Sequence, residues 1–499
     1  MTTAHSPITE RKPRRAPIAG QGAWLFSGFG AAQVCAFLRN AILGHALSMG
    51  DFGVAATLTL LLQIVETLSD LGSDRLIVQA TDGGQRRFMA ACHLVLAARG
   101  FLIGAALLVI GPVFARFFAV PQATEAFQLM AFAPMIKGLT HLDFRRAQRR
   151  FDNRPFVALE VLPQVAALAL TPAALALSPD YTTVAWLSII QALMAVGLSH
   201  MMARRPYKIA FDLTYIKRHI SFGWPILASA LPLVAVYHGD RMIIGHTQGM
   251  EALAGFSAAF MIAMAPGLIA SKVGHALMLP LFSSARRRNQ NLAAPFLSMT
   301  EIVVTLAAVY LALFIVVGGE ALRLAFGPNY QGLGTVVSLL SAMWALRMIQ
   351  AVPGMALMAA GETKPMLVAG IIRAHALPCV LLAATLGASL ATLAAIGCVF
   401  EALSLAYIAV RVERLELGSG ARLAAKAAFL APIGVFAALV KNMTVTEPQN
   451  LAIASALTLS VTLATALAVM PSLRTRAHRA LQPRPGLAQR PLAPAALEN

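Results

Sequence analysis

Ile42-Leu43-Gly44-His45 recurs as Ile243-Ile244-Gly245-His246, 201 residues further along the chain. The same offset of 201 relates Met49 to Met250 and Arg86-Arg87 to Arg287-Arg288. The register then drifts, as it must if loops differ in length. Arg116 and Pro121 match Arg323 and Pro328 at an offset of 207, and Asn153-Arg154-Pro155-Phe156 resembles Thr363-Lys364-Pro365-Met366 at 210. The order of the matches and the small drift point to an internal duplication. Duplicated halves in a hydrophobic chain are a mark of transporters, in which two related bundles rock about a central site. An old duplication kept only for packing is the competing reading, and transport is favoured over it by that association.

The chain has 499 residues, 58% hydrophobic and 12% charged, with a mean hydropathy of +0.70. Soluble chains carry about 25% charged residues. Apolar stretches of about 20 residues recur throughout, the length that crosses a bilayer core of ~30 Å. The fold class expected is an all-α polytopic membrane protein. A membrane barrel would show short alternating segments instead. The four cysteines, Cys35, Cys92, Cys379 and Cys398, all fall in apolar segments. They lack metal-ligand spacing and read as small buried hydrophobes. A net charge of +18 would suit nucleic acid, but the basic residues follow the loops of a membrane topology, so no nucleic-acid partner is expected.

About fourteen spans are expected: 22–43, 53–80, 88–111, 124–144, 156–178, 183–203, 222–245, 253–280, 294–318, 334–358, 366–387, 390–410, 422–440 and 450–470. The split at 387–390 and the long second and eighth spans carry the weakest signal. With the N-terminus inside, one side of the membrane carries 28 Lys and Arg, and the other only Arg116, Arg323 and Lys441. The positive-inside rule then places both termini in the cytoplasm. Residues 1–20 read as a disordered N-tail with no cleavable signal, 21–210 as a first six-helix bundle and 211–415 as a second. Residues 416–470 read as two extra helices and 471–499 as a disordered basic C-tail. The outer loops are short and nearly free of charge, which leaves little room for soluble chemistry, and no catalytic residues are expected.

A charge at mid-bilayer costs ~2.5–3.5 kcal/mol on insertion scales, so interior charges should face water or a partner. Nine Lys and Arg lie within spans: Arg39, Arg75, Arg99, Lys137, Arg241, Lys272, Arg347, Arg373 and Lys426. Arg99 and Lys426, near span ends, are expected to snorkel. Lys137 and Arg347 lie in mid-span and are related by the offset of 210. Arg39 and Arg241 are similarly matched near the ends of spans 1 and 7. A cavity lined by Arg39, Lys137, Arg241, Lys272, Arg347 and Arg373 would attract an anion such as a phosphate. Pairing with internal acids is the competing reading, with Asp240 beside Arg241 as one candidate.

Span 2 carries Gln63, Glu66, Thr67, Asp70 and Asp74 at i, i+3, i+4, i+7 and i+11, one face of a continuous helix. Three carboxylates on one face cannot look at lipid. They form either a salt-bridge set or a site for H⁺ or Na⁺ coupling by Glu66, Asp70, Asp74 and Asp240, and the slightly favoured reading is the salt-bridge set. Pro134, Pro163, Pro225, Pro232, Pro266, Pro353 and Pro378 mark expected bends.

Leu47-Ser48-Met49-Gly50-Asp51-Phe52-Gly53, then Leu68-Ser69-Asp70-Leu71-Gly72-Ser73 and Leu76-Ile77-Val78-Gln79, resemble the N-terminal signature of polysaccharide transporters. Asp240-Arg241-Met242-Ile243-Ile244-Gly245 resembles the same family's seventh-span pattern. These are the O-antigen and exopolysaccharide (Wzx-like) flippases of the multidrug/oligosaccharidyl-lipid/polysaccharide (MOP) exporter superfamily. The resemblance covers roughly residues 20–415. It implies two pseudo-symmetric six-helix bundles plus two C-terminal helices, working by alternating access in the bacterial inner membrane. It also implies a polyprenyl-pyrophosphate-linked oligosaccharide as substrate, bilayer lipids as surroundings, and a polysaccharide polymerase and export machinery as partners. No cofactor or metal is implied beyond a coupling H⁺ or Na⁺. A lipid-linked peptidoglycan-precursor flippase and a cation-coupled drug exporter of the same superfamily are the nearest alternatives. A membrane polymerase or glycosyltransferase would need a substantial outer loop to hold its catalytic groups.

Overall fold

Inside a bilayer the backbone must satisfy its own hydrogen bonds, and this chain does so with helices. A computed structural model describes residues 18–150, 152–287, 292–413, 420–444, 448–472 and 474–475, and every regular element among them is helical. The first half runs α1 (Ile18–Ala46), α2 (Met49–Leu68), α3 (Ser73–Gln79), α4 (Arg86–Phe117), α5 (Thr124–Leu129), α6 (Phe132–Lys137), α7 (Asp143–Gln148), α8 (Arg154–Leu177) and α9 (Thr182–Met201). The second runs α10 (Leu213–Thr247), α11 (Gly249–Arg287), α12 (Ala293–Phe326), α13 (Gly334–Ala359), α14 (Lys364–Ala374), α15 (Ala376–Thr385) and α16 (Leu390–Val412). The chain closes with α17 (Gly420–Ala427), α18 (Leu430–Thr444) and α19 (Pro448–Val469).

The repeat is visible in the elements. α4 and α12 are each followed by a single 3-10 turn, Pro121–Ala123 and Pro328–Tyr330, at the offset of 207 read from Arg116/Pro121. α8 and α14 each begin with a cation and a proline, Arg154-Pro155 and Lys364-Pro365, where a missing N–H costs nothing. Ser48 caps α2 by accepting the Asp51 amide at 3.0 Å, and Asp212 caps α10 by accepting the amides of Thr214 and Tyr215.

Twelve helical stretches among the described residues are long and apolar enough to cross a membrane. This is a multi-pass membrane protein. Two of the fourteen expected spans are not among the twelve. One is 22–43, which falls in α1, where the leading side chains lie outside the described residues. The other is 124–144, which is broken into α5 and α6. Pro134 has no N–H to offer the carbonyl of Met130 and its ring clashes there, so the helix interrupts at Met130–Ala131. The helices run on across Pro163, Pro225, Pro232 and Pro353.

The expected second span, 53–80, is corrected. α2 stops at Leu68, Gly72 takes the left-handed conformation at φ 65°, and α3 starts afresh at Ser73. Asp70 caps the turn by accepting the Gly72 amide at 2.9 Å. Asp70 and Asp74 therefore do not continue the α2 face that carries Glu66. The split at 387–390 stands, with Gly387 at φ 77° between α15 and α16.

The chain divides into two compact units. One comprises residues up to Ala265 with Glu320–Val336 and Arg373–Ile396. Its core gathers Leu58, Leu61, Leu107 and Phe127 from α2, α4 and α5, with Met130 just after α5. α8 packs between α1 and α9, and α10 lies against α2 and α15. The other unit comprises Pro266–Gly319, Val337–Ile372 and the chain from Gly397. Val304, Ala307 and Ala308 of α12 are buried there, with Ile349 and Val352 of α13 and Ile408 of α16.

Candidate functional site

The first unit holds a cavity of about 490 Å³ among α2, α3, α4, α6, α7, α8 and α9. On one side of it α4 and α6 approach closely. A methyl group added at Gly100 of α4 would lie 2.5 Å from the Pro134 carbonyl oxygen and 2.7 Å from Gly138 Cα. Small residues allow this in a membrane, where packing rather than water drives association. The approach brings Lys137, at the end of α6, against Glu66 of α2, with Nζ 3.0 Å from Oε1.

The walls are of mixed charge: Arg99, Lys137 and Arg145 against Glu66, Asp74 and Glu160, with the amides of Gln164 and Gln191. Arg39 stands behind them, donating to Gln191 Oε1 at 3.1 Å and Gln164 Oε1 at 3.5 Å. Arg145 Nη2 meets Asp74 Oδ2 at 2.5 Å and lies over the rings of Phe144 and Phe156. Asp70 sits 3.9 Å from both Arg75 and Arg99. The span-2 carboxylates thus meet cations from α3, α4, α6 and α7 of the same unit. The salt-bridge reading is the one the geometry shows.

Arg99 was expected to snorkel and does not. It donates to the Glu66 carbonyl at 2.7 Å and to Ser69 Oγ at 3.2 Å, and it lines the cavity. Lys426 likewise turns inward, with Nζ 2.5 Å from Glu301 Oε1 in the second unit. Arg145, Glu160, Gln164 and Gln191 were missed by the sequence reading. Glu160 and Gln164 fall at i and i+4 on α8, a signal that was there to be used.

Of the predicted residues, Arg39, Lys137, Glu66 and Asp74 come together at this cavity, with Asp70 beside it. Arg241 and Asp240 lie elsewhere on α10. Arg241 donates to the Tyr237 carbonyl at 2.6 Å and packs over the Phe260 ring. Arg373 lies in the last turn of α14 and is not among the cavity residues. Arg347 is in the second unit, ion-paired to Glu401 and stacked on Trp344. The side chain of Lys272 lies outside the described residues. Among the described residues no three His, Cys, Asp or Glu side chains gather to hold a metal ion.

The two repeat-related cations have different surroundings. Lys137 and Glu66 keep 41% and 31% of their side chains accessible, whereas Arg347 and Glu401 keep 10% and 1%. Glu401 corresponds to Gln191 at the offset of 210, so one repeat has a buried ion pair where the other has a cation and an amide on a cavity wall.

A family model of polysaccharide biosynthesis proteins matches residues 42–335, more than half of the chain. The chain belongs to the polysaccharide biosynthesis protein family. Within curated proteins it is 20% identical over 339 residues to the teichuronic acid biosynthesis protein TuaB of Bacillus subtilis (strain 168), covering 65% of this chain and 68% of that one. Its fold is that of the lipid II flippase MurJ in an inward closed conformation, with a TM-score of 0.67 at 8% identity over 89% of this chain and 99% of that one. It is also that of an inward-facing MATE multidrug transporter of the MOP superfamily, with a TM-score of 0.59 at 13% identity over 80% and 95%. This family member is therefore a polytopic membrane protein of polysaccharide biosynthesis built on a transporter fold.

Proposed function

We propose that this chain is a flippase that moves a polyprenyl-pyrophosphate-linked oligosaccharide from the cytoplasmic to the periplasmic leaflet of a bacterial inner membrane. Two repeat-related bundles, with boundaries near residues 21–210 and 211–415, alternate access to the substrate, and both termini lie in the cytoplasm. The observation that carries the reading is the cavity of about 490 Å³ that holds Lys137, Arg99 and Arg145 beside Glu66, Asp74, Gln164 and Gln191 within membrane helices. Carboxylates and amides suit sugar hydroxyls, which both donate and accept. Cations suit a pyrophosphate. Because Lys137 is held by Glu66, an incoming anion must compete with that carboxylate. Arg241, Lys272, Arg347 and Arg373 bind substrate in this proposal only if the second repeat opens a matching site.

A cation-coupled drug exporter is the second reading, and the carboxylates Glu66, Asp74 and Glu160 on the cavity wall favour it. A reconstituted flipping assay with a fluorescent polyprenyl-pyrophosphate oligosaccharide separates the two. The native chain should flip the lipid, and Lys137→Ala should slow flipping about ten- to hundredfold, the loss of one hydrogen bond to a charged group. Arg347→Ala, measured alone, shows whether the second repeat contributes. No flipping by the native chain, with efflux of an organic cation instead, would replace the proposal with the exporter.

A further inference from the structure

The segment joining α9 to α10 reads Arg204-Arg205-Pro206-Tyr207-Lys208-Ile209-Ala210-Phe211. Two histidines pin its backbone. His141 donates from Nε2 to the Arg205 carbonyl at 2.9 Å and accepts the Asp143 amide at Nδ1, 3.1 Å away. His93 of α4 donates from Nδ1 to the Lys208 carbonyl at 3.0 Å and accepts the Leu142 amide at Nε2, 3.1 Å away. Each ring has both nitrogens engaged. The Tyr207 ring packs on His93 with centroids 4.4 Å apart and on His200 at 5.1 Å. The Ala210 amide adds a bond to the Ala90 carbonyl at 3.3 Å. With the backbone held in this way, Arg205 and Lys208 join Arg86, the first residue of α4, around a small pocket of about 40 Å³.

The cations of this pocket are poorly compensated. Arg86 and Lys208 make no side-chain hydrogen bond or ion pair among the described residues. Arg205 spends one N–H on the Gly84 carbonyl at 2.7 Å. Burial and the guanidinium groups of Arg146, Arg86 and Arg150 hold Arg205 below its usual range, countered by Asp143. Asp143 is itself occupied, accepting two bonds from Arg146 and one from the Arg204 amide. A water needs about 10–15 Å³ of such space, so the pocket has room for about three, the bulk of a phosphate group. It lies level with helix ends, where α9 stops, α10 starts and α4 starts, which is where bilayer headgroups are. Ile209 and Phe211 follow on the same segment and are exposed.

We propose that this pocket binds the phosphate of an anionic bilayer lipid, with Arg86, Arg205 and Lys208 on the headgroup and Ile209 and Phe211 toward the acyl chains. The site is distinct from the cavity of α2, α3, α4, α6, α7, α8 and α9, and the proposal does not depend on the transported substrate. A bound lipid would tether to one leaflet the segment that joins the two sequence repeats.

The test is native mass spectrometry of the purified full-length chain, titrated with phosphatidylglycerol, with phosphatidylcholine and with inorganic phosphate. Each basic residue near a charged lipid surface contributes about fivefold in binding, so Arg86→Gln combined with Lys208→Gln should weaken phosphatidylglycerol binding at least about tenfold. Arg154→Gln combined with Lys217→Gln removes the same charge from exposed positions outside the pocket, so a specific site requires a clearly smaller loss than in the first pair. Both pairs are on exposed side chains, and elution volume checks that they fold. Should the first pair reduce yield, Lys208→Gln alone must still weaken binding about fivefold. Equal loss in the two pairs would reduce the effect to general charge and overturn the site. Unchanged binding in the first pair would also overturn it. Saturation by inorganic phosphate, with no added affinity for phosphatidylglycerol, would make it a free-phosphate site and overturn the lipid assignment.

Discussion

Lys137 and Arg347 show how far a residue's role can be read from its type and position. The sequence marks both as mid-span cations in matching repeats; the structure keeps Arg347 inside α13 but puts Lys137 at the end of the short α6, in the interrupted segment. It does not show that Lys137 meets a half-accessible carboxylate on a cavity wall while Arg347 meets a fully buried one. Breaking a buried pair by removing one partner costs about 3–5 kcal/mol, because the other charge is left without compensation. Breaking an accessible pair costs about 1 kcal/mol or less. Glu401→Leu should therefore lower the thermal stability of the detergent-solubilised protein severalfold more than Glu66→Leu. Equal losses would mean that the Lys137–Glu66 pair is as structural as the other, and would remove the reason to place substrate at Lys137. The partners are not legible in the sequence because these three ion pairs, Arg347 with Glu401, Lys137 with Glu66 and Lys426 with Glu301, join residues 54 to 125 positions apart. Hydropathy and spacing see only one helix at a time. The same limit hides the inward partners of Arg99 and Lys426, whose positions near span ends suggest snorkelling.

Among the elements, twelve of the fourteen spans and the split at 387–390 are legible in the sequence, and the breaks at Gly72 and at Met130–Ala131 are not. A run of apolar residues through 53–80 looks continuous, yet it holds Gly72, whose left-handed φ ends one helix and starts another. The acidic face inferred from a 3.6-residue period assumed an unbroken helix. The three carboxylates still gather near one cavity, but through a turn rather than along a stripe. Any residue with a Cβ pays about 1–2 kcal/mol in that conformation, and a methyl group at Gly72 would also lie 2.4 Å from Ile226 Cδ1 of α10. Gly72→Ala should thus destabilise the protein by at least about 1–2 kcal/mol in a thermal unfolding series. Gly84→Ala is the matched comparison, since nothing lies within 4 Å of the added methyl group and φ there is not positive. A neutral Gly72→Ala would show that the turn can be rebuilt without the glycine. Pro134 was read as a bend and is a break, because its ring and missing N–H act on Met130, beside a segment already packed tightly on Gly100.

For the whole molecule, charge asymmetry gives an orientation that can be tested without knowing the number of spans. Asn329 lies in the exposed turn before α13 and Thr363 in the exposed turn after it, so a single crossing helix, Gly334–Ala359, separates them. They must face opposite sides of the membrane. The expected orientation puts the segment around residue 329, which has Arg323 as its nearby cation, outside, and the 359–365 loop, with Lys364, inside. The rule rests on 28 basic residues against three, far beyond the asymmetry that one loop could supply. In a chain with Cys35, Cys92, Cys379 and Cys398 replaced by serine, Asn329→Cys should react with a membrane-impermeant maleimide in intact cells. Thr363→Cys should react only after the membrane is opened. The reverse pattern would invert the topology, turn the Arg86–Arg205–Lys208 pocket toward the outer face, and make an inward-to-outward flippase that captures its substrate from the cytoplasm untenable. Labelling of both positions in intact cells would contradict α13 as a crossing helix. The two cysteines bracket one helix, so the outcome is independent of α1 and of the broken fourth segment, the two places where the span count rests on sequence more than on an uninterrupted helix.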